Sequence, residues 1–273
     1  MVALAQGNAR SPIGVFDSGL GGLTVVHEIM RQLPDEAIIY FGDTARVPYG
    51  PKSPDTVRRY SHEIASFLHG QGVKAIVVAC NTATAQALPS LQAAFSVPVI
   101  GVVEPGARAA VRGSRGGVIG VIGTAGTIAS GAYERAIRAI APRARIDARA
   151  CPLFVPLVEE GWIDTEATRL IARVYLTPMA REHADTLVLG CTHYPLLKPL
   201  IRDVMGSDVK LIDSAEETAA ETSRILQELG LRATGGSRTK HRFVASDAPE
   251  QFLRLGRRFL GEAIESVEKV TLG

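Results

Sequence analysis

Several signals are missing from this chain, and each absence removes a class of function. No apolar run approaches the roughly 20 residues that a membrane helix needs, so no span is expected. The opening residues 1–11 turn polar after Ala5 and lack the charged start and apolar stretch of a secretory signal; they read as a loose tail on a cytoplasmic protein. Basic and acidic residues nearly balance, at a formal net charge of +2. The Arg-rich pieces (108–115, 135–149 and 254–258) are scattered along apparent helix faces and loops. A nucleic-acid partner calls for a concentrated basic stripe, so none is expected. Cysteine is limited to three, far apart, which is no disulfide framework for a chain of this size. A reducing compartment fits, and the thiols stay free for chemistry. Aromatics amount to 5% of 273 residues, against abundant Ala, Val, Leu and Gly, a composition ordinary for a globular enzyme with a substantial core.

What is present is an alternation of short apolar runs with amphipathic stretches. Strands are expected at 13–16, 37–41, 75–79, 97–102, 118–122, 144–150, 186–189, 209–212 and 242–245. Their character is continuously apolar rather than alternating, as in strands covered on both faces. Helices are expected at 24–33, 55–70, 165–183, 215–229 and 249–264. The pattern predicts an α/β fold with mainly parallel sheets and right-handed crossovers. A weak internal repeat runs through it. Ile13-Gly14-Val15 and Ile119-Gly120-Val121 each open into Gly and hydroxyl residues, and Cys80 and Cys191 follow at nearly matching distances. Two similar α/β domains related by a pseudo-twofold are therefore expected, with a site in the cleft at the carboxyl ends of the strands.

The two cysteines carry the sharpest chemistry. Cys80 closes the run Ala75-Ile76-Val77-Val78-Ala79 and leads into Asn81-Thr82. Cys191 closes Thr186-Leu187-Val188-Leu189-Gly190 and leads into Thr192-His193. Each sits where a strand gives way to a helix N-terminus, a placement that lowers a thiol's pKa and favours thiolate. Cys151 leads into Pro152 without polar company and reads as a small buried hydrophobe. Cys191 and His193 also suggest metal, but no compact Cys/His set accompanies them, so no metal site is expected. Three loops join the cysteines. In Asp17-Ser18-Gly19-Leu20-Gly21-Gly22 the glycines fit either a tight turn or a backbone cradle for an anion, and Asp17 fits either a ligand or a helix cap. The stretch 41–50, ending in Tyr49 and Gly50, is a surface turn or a loop over the cleft. Thr124 and Thr127 are helix-capping hydroxyls or carboxylate ligands. Glu159 is helix-end surface or a cleft acid, and Trp162 reads as packing.

Taken together, residues 14–23, Gly42-Asp43-Thr44 with Pro48-Tyr49-Gly50, 79–83, Gly123-Thr124 with Thr127, and 190–196 resemble the glutamate racemases of the aspartate/glutamate racemase superfamily. The resemblance covers about residues 13–220 and meets no departure at the motif positions. It implies a first domain of residues 1–101 plus 212–273 and a second of 102–211. It implies Cys80 and Cys191 as an acid/base pair acting on opposite faces of Cα of glutamate, with Asp17 assisting Cys80, His193 assisting Cys191, and Glu159 in support. Asp17, Ser18, Tyr49, Gly50, Asn81, Thr82, Thr124, Thr127, Thr192 and His193 are implied as substrate contacts. It further implies a cofactor-independent reaction, a cytoplasmic homodimer, and D-glutamate made for peptidoglycan. No Lys occurs in any of the motifs, so none offers a pyridoxal phosphate attachment point. Two other readings fit the same residues: a two-Cys racemase of aspartate or another amino acid, and a non-enzymatic small-molecule binding protein with two lobes around a cleft.

Overall fold

Residues 8–235 and 240–272 are described by the computed structural model; most of the expected loose leader, at 1–7, lies outside the described residues. The strands are β1 (Ile13–Asp17), β2 (Ile38–Gly42), β3 (Ala75–Val78), β4 (Val99–Gly101), β5 (Val118–Gly123), β6 (Arg145–Ala150), β7 (Ala184–Gly190), β8 (Lys210–Asp213), β9 (Arg242–Ala245) and β10 (Glu268–Lys269). They form two sheets, ordered β10-β9-β2-β1-β3-β4 and β6-β5-β7-β8. Every pairing in both is parallel.

The order β2-β1-β3-β4 of the first sheet recurs as β6-β5-β7-β8 in the second. The repeat read from the sequence is thus a repeat of topology. In each sheet the first strand of the unit lies between the second and third, so the loops after the first and third strands open beside each other. That is the switch point where open parallel sheets take ligands. Cys80 follows β3 and Cys191 follows β7, both at that position.

Both faces of the central strands are covered, as continuous apolar runs predict. On β1 and β3, Val15 and Val77 face one cluster with Val25, Ile29, Ala219 and Phe252. Their neighbours Phe16, Ile76 and Val78 face the other, with Val57, Ile64, Leu68 and Leu91. The second sheet does the same, with Ile122, Leu187 and Leu189 on one side and Ile119, Val121 and Val188 on the other. Each such side chain contributes about 1.5–3 kcal/mol by leaving water. The helix Pro54–Gly70 shows how local chemistry sets an element. Ser53 caps it by accepting from Thr56 N–H, Pro54 occupies its first position, and Val57, Ile64, Ala65 and Leu68 make its buried stripe.

Boundaries differ from expectation where tertiary packing intervenes. The strand expected at 97–102 shortens to Val99–Gly101, because the chain turns directly into the helix Val103–Gly113. The helix expected at 249–264 stops at Leu260, where Gly261 takes φ +58 and a 3₁₀ turn follows. The strand expected at 144–150 lies on the edge of its sheet and is only half-buried, which accounts for its Arg and Asp residues. Trp162, expected to pack, is 52% exposed.

Candidate active site

Each cysteine loop reaches across to the opposite sheet. Thr192, after β7, donates its hydroxyl to Asp17 Oδ1 at the end of β1, 3.4 Å away. Thr82, after β3, bonds to Thr124 (2.8 Å) and Thr127 (3.2 Å) after β5. Thr124 and Thr127 are themselves 3.0 Å apart, so three hydroxyls from both sides share one spot. Thr124 also accepts from Thr127 N–H, acting as cap and cluster member at once.

Glycine makes this closeness possible. A Cβ on Gly21 would lie 2.6 Å from His193 Nδ1, inside contact distance. On the other side of the site Gly50 abuts Thr124, where a Cβ would meet the threonine Cβ at 2.8 Å. Gly50 O accepts from Gly126 N–H at 2.9 Å. The loop 18–22 is held from below by Tyr40, whose hydroxyl donates to Gly19 O at 2.7 Å.

Around Cys80 the partners are acids and weak donors. The thiol, 5% exposed, donates to the Ser18 hydroxyl at 3.8 Å, and its sulfur accepts from Ala83 N–H at 3.4 Å. The sequence predicts that this helix N-terminus lowers its pKa. Burial outweighs that effect and pushes the Cys80 thiol up; the charges of Asp17 and Cys191 add to the rise, against the pull of Ala83 N–H and Ser18. Asp17 is fully buried, and burial raises its carboxyl too, offset in part by His193 and by the N–H groups of Gly19 and Gly22. Its contacts are not those of a helix cap: the helix Leu23–Gln32 begins after Gly22.

Cys191 has different company. Its sulfur lies 3.8 Å from His193 Nδ1, and His193 Nε2 lies 3.1 Å from Glu159 Oε1. Burial works against the imidazolium, but the hydrogen bonds and charges of Cys191 and Glu159 win and raise His193 to about 10. One sulfur therefore faces a cation and the other a buried carboxyl.

Most of the residues singled out from sequence gather here, but Tyr49 directs its side chain elsewhere. Its ring is 1% exposed, and its hydroxyl donates to Asp43. Asp43 also accepts from Ser246 at 2.9 Å and from Arg46, which continues to Glu63. Tyr49 thus anchors the loop that presents Gly50. Sequence reading missed Asp43, though it lies within the motif Gly42-Asp43-Thr44, and missed Tyr133, whose hydroxyl donates to Asn81 Oδ1 at 2.7 Å. Cys151 is fully buried among Phe154, Leu176 and Tyr194, as a small hydrophobe should be.

A family model for Asp/Glu/hydantoin racemases matches residues 13–222. The glutamate racemase of Geobacter metallireducens is 56% identical over 260 residues, covering 95% of this chain and 96% of its own. The crystal structure of glutamate racemase isoform RacE1 from Bacillus anthracis superposes with a TM-score of 0.93 at 47% identity, covering 97% of this chain and 99% of that one. Glutamate racemase from Francisella tularensis, in complex with D-glutamate, gives a TM-score of 0.90 at 39% identity, covering 96% and 98%. With two matching sheets, a thiol after the third strand of each, and this likeness along nearly its whole length, the chain belongs to the Asp/Glu/hydantoin racemase family.

Proposed function

We propose that the chain interconverts L-glutamate and D-glutamate by moving a proton at Cα between Cys80 and Cys191. The observation that carries this reading is the pair of sulfurs at equivalent ends of β3 and β7, each with its own polar partners. Likeness to glutamate racemases along most of the chain supports the choice of substrate. D-Glutamate made this way serves peptidoglycan synthesis.

The Cα–H of an amino acid is a very weak acid, and the adjacent carboxylate makes its carbanion worse. Catalysis must come from donors arranged beforehand around the developing charge. Asn81, Thr82, Thr124, Thr127 and Thr192, with the backbone of Ser18 and Gly50, form such a set. One thiolate removes the proton from one face while the opposite thiol delivers another. His193, held as a cation, balances negative charge on Cys191, with Glu159 behind it. Asp17 assists Cys80, whose thiol donates to the Ser18 hydroxyl. Reversing the roles runs the reaction backwards, and no step calls on a metal or cofactor. We read the chain as two lobes, 1–101 with 212–273 and 102–211, holding the substrate between them. A cytoplasmic homodimer is part of the same reading, and sedimentation velocity on the purified protein checks the dimer.

Solvent-deuterium exchange into both enantiomers, with aspartate as control, tests the activity. Cys80→Ala and Cys191→Ala each abolish racemisation. Each keeps elimination of HX from one enantiomer of a substrate with a good leaving group, because that needs a single base. Near wild-type racemisation by either variant sinks the scheme; faster exchange with aspartate than with glutamate sinks the substrate assignment.

A further inference from the structure

Asn81 follows Cys80 and is 2% exposed, yet among the described residues its Nδ2 has no hydrogen-bond partner. A buried amide N–H₂ left unpaired costs free energy, so such groups are rare unless a ligand completes them. The other end of the same amide is fully engaged. Tyr133, from the helix Ala132–Ile140 on the side of the second sheet, donates its hydroxyl to Asn81 Oδ1 at 2.7 Å. Ser214, at the start of the helix Ser214–Glu228, lies nearby, its Cβ bordering Gly106 together with the Tyr133 hydroxyl. In the bond between Tyr133 and Asn81 the phenol proton points to Asn81. Only the amide oxygen accepts it, which leaves Nδ2 on the free side.

Tyr133 is itself 2% exposed and closely confined. Its ring lies against Gly190, the residue before Cys191, where a Cβ would be 3.0 Å from a ring carbon. It also borders Gly106, with 3.3 Å to the position of a Cβ there. One side chain therefore touches the residue beside each cysteine.

We propose that Tyr133 is a positioning residue for the racemase site, fixing the Asn81 carboxamide so that Nδ2 is presented to the substrate. The proposal rests on the functional reading above, in which Asn81 is a donor to glutamate. Tyr133 acts through Asn81 and does not touch the reacting carbon.

The test is a double-mutant cycle read by solvent-deuterium wash-in to Cα of each glutamate enantiomer. Incubation over hours keeps slow variants measurable. Tyr133→Phe keeps the ring in its slot and removes only the hydroxyl. It lowers kcat/KM for both enantiomers roughly tenfold, the scale of one lost ordering hydrogen bond. In an Asn81→Ala background the effect of Tyr133→Phe shrinks to less than about twofold, because nothing remains to be oriented. A merely structural tyrosine lowers activity by the same factor in both backgrounds, and that result overturns the proposal. So does an unchanged kcat/KM in Tyr133→Phe. Failure of the unaltered enzyme to exchange deuterium into glutamate is a separate result: it removes the functional reading, and this proposal with it.

Discussion

At the scale of single residues the site is asymmetric. His193 is raised to about 10 from its ordinary 6.5 by Cys191 and Glu159. Removing the Glu159 charge makes the imidazolium less favourable, so it loses its proton at lower pH. Glu159→Gln therefore moves the alkaline limb of kcat/KM downward, which initial rates across pH 7 to about pH 11 record. Stability follows the same group. A folded-state pKa above the unfolded one gives stabilisation that is complete below about pH 6.5 and fades as pH rises through about 10. Urea unfolding at several pH values shows this alkaline decline in the unaltered chain and a shallower one in Glu159→Gln. The sequence offered His193 within the Cys191 motif and Glu159 as a possible cleft acid, but not the bond that joins them. Burial reversed the expectation for Cys80, since a helix N-terminus is legible in sequence and the surrounding dryness is not.

At the scale of elements, the most consequential contact away from the site is a buried ion pair at the opposite end of the first sheet. Lys74, just before β3, is fully buried and pairs with Glu36, just before β2. Lys74 also donates to Ala9 O (2.6 Å) and Leu231 O (2.8 Å), and Glu36 accepts from Ala233 N–H at 2.8 Å. The pair joins the start of the described chain to the segment entering β9. Lys74→Met leaves the Glu36 carboxylate buried without its cation and costs roughly 3–5 kcal/mol, whereas the double variant Lys74→Met/Glu36→Leu recovers much of that. Equilibrium urea curves on the three proteins check it. Core strands were easy to read because unbroken apolar runs such as 75–79 leave no alternative to burial. Tyr133 was not, since its helical spacing beside Ile137 is that of any core residue and its partner Asn81 stands in a distant part of the sequence. The same blindness hid the Asp43 network, whose members come from residues 43–63 and 246.

For the whole molecule, the two sheets work as one site only while their loops interlock. Gly21 is the tightest point of that interlock, against Thr192 and His193. Gly21→Ala pushes the two loops apart without disturbing either core. It lowers kcat/KM at least roughly tenfold while the thermal midpoint shifts little, since small misplacements of reacting groups are costly to catalysis. Rates and thermal unfolding on one preparation test both halves of that statement. The strand order carries a further consequence. The second sheet is drawn from one continuous stretch, whereas the first uses strands from both sides of it in the chain. A polypeptide leaving the ribosome therefore holds all four strands of the second sheet while β9 and β10 of the first have yet to be translated. During synthesis the Tyr40-bearing strand β2 is an open edge awaiting β9, a vulnerable interval that the finished enzyme no longer shows.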